Sequence, residues 1–124
     1  MTGKLFDSEL KVMDVLWRGG DKTAKQISET LKREIGWNVN TTYTVIKKCV
    51  DKGAIQRLEP HFLCHALVSK QDVQRAEADA LVGKLFGGAP DKLFAALLGG
   101  RKLPQEQVEA LRRMVDQLEV EEGI

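Results

Sequence analysis

Apolar residues recur along most of this chain at spacings of three and four, the signature of helices packed on one side. The first stripe is Leu10, Met13, Leu16 and Trp17, predicting a helix from about Ser8 to Arg18 with Asp7 or Ser8 as its cap. Gly19-Gly20 ends it. The second stripe is Ala24, Ile27, Leu31 and Ile35; Thr23 and Gln26 have the form of a capping box, and Gly36 stops the helix. The third is Thr42, Val45, Ile46 and Cys49, with Val50 at the margin, on a helix from about Asn40 to Lys52. Asn40 or Thr41 can cap its start, and Gly53 sits where a left-handed residue would close it.

From Ala54 the pattern changes. Ile55 to Glu59 and Phe62 to Val68 read as two short strands turning at Pro60-His61, although Phe62, Leu63 and Cys64 interrupt the alternation. Ser69 then opens a fourth helix, with Asp72 in its first turn and Val73, Ala76, Ala80, Leu81 and Leu85 on one face. Gly87-Gly88 breaks it. Pro90 opens a short helix, apolar nearly all round, that reaches Leu98 before Gly99-Gly100. Pro104 opens a sixth, striped by Val108, Leu111, Met114, Val115 and Leu118.

Three helices on short turns followed by a hairpin make a winged helix-turn-helix. The predicted fold is mainly α with a small β-hairpin: a winged-helix domain over 1–69 and a three-helix lobe over 70–124. A lobe of that size struggles to bury its apolar surface alone, and a second copy is the natural cover. Leu81, Leu85, Leu93, Leu97, Leu111, Val115 and Leu118 are the candidate dimerisation residues.

The third helix has a second face, carrying Asn40, Tyr43, Thr44, Lys47 and Lys48. Amides, hydroxyls and lysines in that arrangement suit phosphates and base edges of a DNA major groove; the bland alternative is a solvated helix face. Lys47, Lys48 and Arg57, the latter in the wing, would neutralise phosphates, while Asn40, Thr41, Tyr43 and Thr44 would read bases. Net charge is only +1. Its distribution is uneven: residues 1–68 carry eleven Lys/Arg against eight Asp/Glu, and residues 69–124 carry eight against ten. DNA contact at one end of the chain fits that asymmetry.

Other chemistry finds little support. There is no Ser/His/Asp set, glycine-rich phosphate loop or HExxH, so the expectation is no enzyme and no cofactor. In HFLCH, His61 and His65 would point to one face of a strand and Cys64 to the other, which disfavours zinc. Cys49 and Cys64 make no disulfide framework. No signal peptide and no apolar run near 18 residues are present, so the expectation is a cytoplasmic protein without membrane insertion.

The runs ELKVMDVLW at 9–17, NTTYTVIKKCVDKG at 40–53, LVS at 67–69 and KLFGGAPDKLFAALL at 84–98 together resemble the BlaI/MecI/CopY family of bacterial repressors. The resemblance spans nearly the whole chain. It implies a homodimer that binds palindromic operators with TACA and TGTA half-sites. It also implies a membrane sensor with a metalloprotease domain, whose action leads to cleavage within Pro90–Leu98, near Ala96-Leu97. The chain departs from the family in three places. Phe6 stands where a threonine caps the first helix, Lys48 replaces an arginine, and the wing, Leu58-Glu59-Pro60-His61, has no arginine at its tip. The paired C-terminal cysteines of the copper-responsive branch are missing. Two rivals stay open: a winged helix used for protein contact, and a MarR-like regulator that binds an effector.

Overall fold

The computed structural model describes residues 3–123. Six helices and three short strands follow in the order α1 (Asp7–Gly19), β1 (Lys22–Thr23), α2 (Ala24–Ile35), α3 (Val39–Asp51), β2 (Ile55–Leu58), β3 (Leu63–Ala66), α4 (Lys70–Leu85), α5 (Pro90–Leu98) and α6 (Gln105–Asp116). The chain divides into two compact units between Ala78 and Asp79, inside α4.

In the first unit, α1, α2 and α3 enclose a core that includes Val12, Met13, Leu16, Ala24, Ile27, Leu31, Val45, Ile46 and Cys49, closed by Ile55 and Cys64 from the sheet. The sheet order is β1-β3-β2, antiparallel throughout. β1 has no counterpart in the sequence pattern, because two residues carry no periodicity; Lys22 and Thr23 become a strand only by pairing with Cys64 and Leu63. The hairpin strands are shorter than expected. His61 and Phe62 adopt positive φ (71° and 52°), a conformation that cannot continue a ladder, so β3 starts at Leu63.

Local chemistry explains most helix ends. Thr23 Oγ1 accepts from the Gln26 N–H at 3.1 Å while Gln26 Oε1 accepts from the Thr23 N–H at 2.9 Å, completing the capping box. Gly36 closes α2 in the left-handed conformation, and Ile35 just before it is exposed rather than part of the buried stripe. The cap of α3 is Asn38, whose Oδ1 accepts from the Thr41 N–H at 2.8 Å. Asn40 and Thr41 are therefore inside the helix and are not its caps. Phe6, not Asp7 or Ser8, holds the cap position of α1; it has no side-chain acceptor, and the Phe6 N–H is met by Glu9 Oε1 at 2.7 Å. Ser69 Oγ accepts from the Asp72 N–H at 3.0 Å ahead of α4. Trp17 serves packing, with Nε1 donating to the Val68 carbonyl at 3.0 Å.

α4 serves both units, so no single stripe describes it: Val73 packs against the first core, whereas Val82 is buried in the second unit. In that second unit α5 keeps the predicted bounds, opened by Pro90, and α6 follows Pro104. Leu93 and Leu111 are half-buried, while Leu81, Leu85, Leu97, Val115 and Leu118 are exposed. Leu118 lies beyond α6, which ends at Asp116, and so is not on its stripe.

Candidate nucleic-acid interface

α3 is held from behind. Thr42, Val45, Ile46 and Cys49 are each at most 5% exposed. Residues of an α-helix advance by about 100° each, so the direction opposite this buried set carries Asn40, Thr44, Lys47 and Asp51 in one line. Asn40, Thr44 and Lys47 are exposed, as are Thr41 and Lys48 on one flank of that line. Tyr43 stands on the other flank, half-buried. All six residues read from the sequence thus share the accessible side, with Tyr43 closest to the core. The positive end of the helix dipole adds potential near Asn40, where only the Thr41 N–H is met by the Asn38 cap. The far end of the line is acidic, because Asp51 lies about 16 Å along the axis from Asn40. Anionic partners are therefore favoured over the first two and a half turns, the part that recognition helices present to base edges.

Sequence reading missed Val39. It is the first residue of α3, 50% exposed, on the same edge as Tyr43. An apolar β-branched side chain at an open helix start suits a thymine methyl. Its spacing of four from Tyr43 was the available signal.

The wing is tied to the helix by aromatic contacts. Phe62 meets Tyr43 edge-on, with ring centroids 6.1 Å apart, and the Arg57 guanidinium lies 3.7 Å above the Phe62 ring. Arg57 Nε also donates to Glu59 Oε1. That hydrogen bond holds the Glu59 carboxyl below the usual carboxylate range. Glu59 lies in the turn just past β2, two residues from Arg57, a spacing that keeps side chains on one side of an extended chain.

A second missed residue sets the posture of α3. Glu9, 1% exposed, receives the Lys52 ammonium on Oε1 at 2.6 Å, besides the Phe6 N–H. Lys52 Nζ further donates to the Lys4 carbonyl at 2.7 Å and sits 4.2 Å over the Phe6 ring. The start of α1 is thereby fastened to the residue after α3. Burial pushes the Glu9 carboxyl up, but the hydrogen bonds from Lys52 and Phe6 outweigh it and leave the group below its ordinary value. A carboxyl depressed by folding contributes stability above its unfolded value, about 4.3, and that contribution is lost as pH falls through the folded value. Glu9→Gln is expected to lower unfolding free energy by about 1–3 kcal/mol at pH 7. Urea unfolding at pH 7 and pH 3 checks this: the gap between variant and wild type narrows in acid.

The side chains of HFLCH are not grouped as a ligand set. His61 lies in the turn rather than in a strand, His65 Nδ1 is paired with Asp21 Oδ1 at 2.8 Å, and Cys64 is buried with its thiol pushed up to about 11 by burial. Burial, with the Glu9 charge adding to it, pushes Cys49 up to about 12. Both thiols are then protonated at neutral pH and unsuited to nucleophilic work. Among the described residues no group of three His, Cys, Asp or Glu side chains is placed to hold a metal ion.

A helix-turn-helix with its third helix open to solvent, followed by a hairpin packed beside it, defines a winged-helix DNA-binding protein. The family model described as Penicillinase repressor matches residues 5–117, and the chain belongs to that family: it is a DNA-binding transcriptional repressor and not an enzyme. Methicillin resistance regulatory protein MecI of Mammaliicoccus sciuri is 24% identical over 117 residues, covering 93% of this chain and 95% of the relative. MecI of Staphylococcus aureus (strain N315) matches to the same extent. The solution structure of the DNA binding domain of the repressor BlaI overlays 58% of this chain and 93% of its own, with 22% identity and a TM-score of 0.53, which shows the shared fold. Among the described residues no helix is long and apolar enough to cross a membrane.

Proposed function

We propose that this repressor works in the cytoplasm as a homodimer that lays two copies of α3 into major grooves of a palindromic operator with TACA- and TGTA-like half-sites. The observation that carries the reading is the outward line of Asn40, Thr44 and Lys47 on a helix whose opposite face is locked into the core. Asn40, Thr41, Tyr43 and Thr44 read bases in this proposal. An amide pairs with adenine, hydroxyls meet either kind of edge, and methyl and ring carbons meet thymine. Lys47, Lys48 and Arg57 neutralise phosphates and set the register. The dimer is held through Leu81, Leu85, Leu93, Leu97, Leu111, Val115 and Leu118, five of which are exposed in the single chain. Release follows from loss of that pairing by cleavage within α5, with a membrane sensor protease system acting upstream.

Three or four phosphates per protomer give a dimer a slope of roughly −5 to −7 for log K against log salt. Lys47→Ala is expected to weaken operator and random duplexes alike and to flatten the slope by about 1.8, one phosphate per protomer. Thr44→Ala is expected to cost about 1–3 kcal/mol, chiefly on the operator. Titrations of both variants on both duplexes across a salt series decide the matter. Equal behaviour of the two variants removes the division of roles.

A further inference from the structure

We propose that Glu59 is a built-in competitor for DNA phosphate at Arg57, so that the wing grips DNA only by exchanging this carboxylate for a backbone phosphate. This rests on the proposed reading of Arg57 as a phosphate contact. Arg57 is seated for such an exchange: Phe62 lies under the guanidinium, and Tyr43 braces Phe62 from the recognition helix. The position of the cation is thereby set relative to α3. Its Nε donor is occupied by Glu59 Oε1, and Glu59 Oε2 also accepts from the Phe62 N–H at 3.5 Å, closing the turn around the same carboxylate. Both side chains of the ion pair remain half-exposed or more, 50% for Arg57 and 61% for Glu59, so phosphate can reach the pair from solvent. As it stands the pair sums to zero charge, and the wing contributes little attraction of its own. On exchange the freed carboxylate stays close to the phosphate and weakens the gain. Glu59 thus limits affinity that owes nothing to sequence, and leaves discrimination to α3.

The test uses the full chain with a duplex carrying TACA and TGTA half-sites and a random duplex of equal length. Glu59→Gln keeps an oxygen for the Phe62 N–H but releases the cation. It is expected to tighten both duplexes by about three- to thirtyfold for a dimer, the scale of two exposed ion pairs, and to steepen the salt slope by about 1.8. Arg57→Ala is expected to erase the gain when it is made in the Glu59→Gln background. A gain that survives in the double variant reflects removal of a negative charge alone and overturns the proposal. So does unchanged binding by Glu59→Gln when wild type binds normally. If wild type binds neither duplex, the DNA reading itself falls, and this proposal with it.

Discussion

Leu85→Asp is expected to turn the repressor into a monomer and to weaken its hold on a palindromic operator by roughly 10²–10⁴, the factor by which linking two binding modules raises affinity. Leu85 ends α4 and is 64% exposed in the single chain, so an aspartate there meets water and leaves the second unit's own packing alone. In a dimer that covers this face, the same aspartate is a buried charge without a partner, at a cost that an interface of ordinary strength does not withstand. Leu111→Asp has a less specific outcome, because Leu111 is already half-buried within its own unit and the substitution disturbs folding as well. The recognition helix is untouched in both. Sedimentation of wild type and Leu85→Asp, alongside operator titration, gives the answer. A variant that stays dimeric and binds like wild type removes Leu85 from the interface.

Most of the fold is legible in the chain because its boundaries are written in local chemistry. Thr23 with Gln26, Gly36, Ser69, Pro90 and Pro104 each mark an end that backbone hydrogen-bonding rules dictate within a few residues. The start of α3 shows the limit of this logic. Asn38, Asn40 and Thr41 can all cap a helix, and the cap is Asn38, whose Oδ1 accepts from the Thr41 N–H. Relations between distant residues are a different matter. The Glu9–Lys52 pair joins positions 43 apart, and β1 exists only through its partner strand; neither leaves a periodic trace. The wing fell between these cases. Arg57 and Glu59 are only two residues apart, but that Phe62 returns beneath Arg57 and touches Tyr43 depends on two residues at positive φ. The polar face of α3 was legible because burial on one side of a helix defines the other.

A chain ending at residue 96 is expected to keep its winged helix and to lose pairing and, with it, roughly 10²–10⁴ of operator affinity. The cut falls inside α5, nine residues long, with Gly87 and Gly88 before it and Gly100 after it at positive φ that glycine adopts without strain. No α5 residue is buried, and Ala95, Ala96 and Leu97 are all exposed. Opening so short a helix costs less than opening a long packed one, which suits a site of regulated cleavage. What lies beyond residue 96 includes Leu97, Leu111, Val115 and Leu118, four of the seven residues assigned to pairing. The first unit ends at Ala78 and takes its core from residues before that point, so its melting transition should survive the truncation. The two forms are compared by sedimentation, by thermal unfolding and on palindromic and half-site duplexes. Equal affinity for a single half-site, with the advantage of the palindrome lost, is the expected pattern. It separates loss of pairing from damage to α3, which would weaken both duplexes together. If the shortened chain still pairs and binds the palindrome as tightly as the full chain, the switch does not lie in α5.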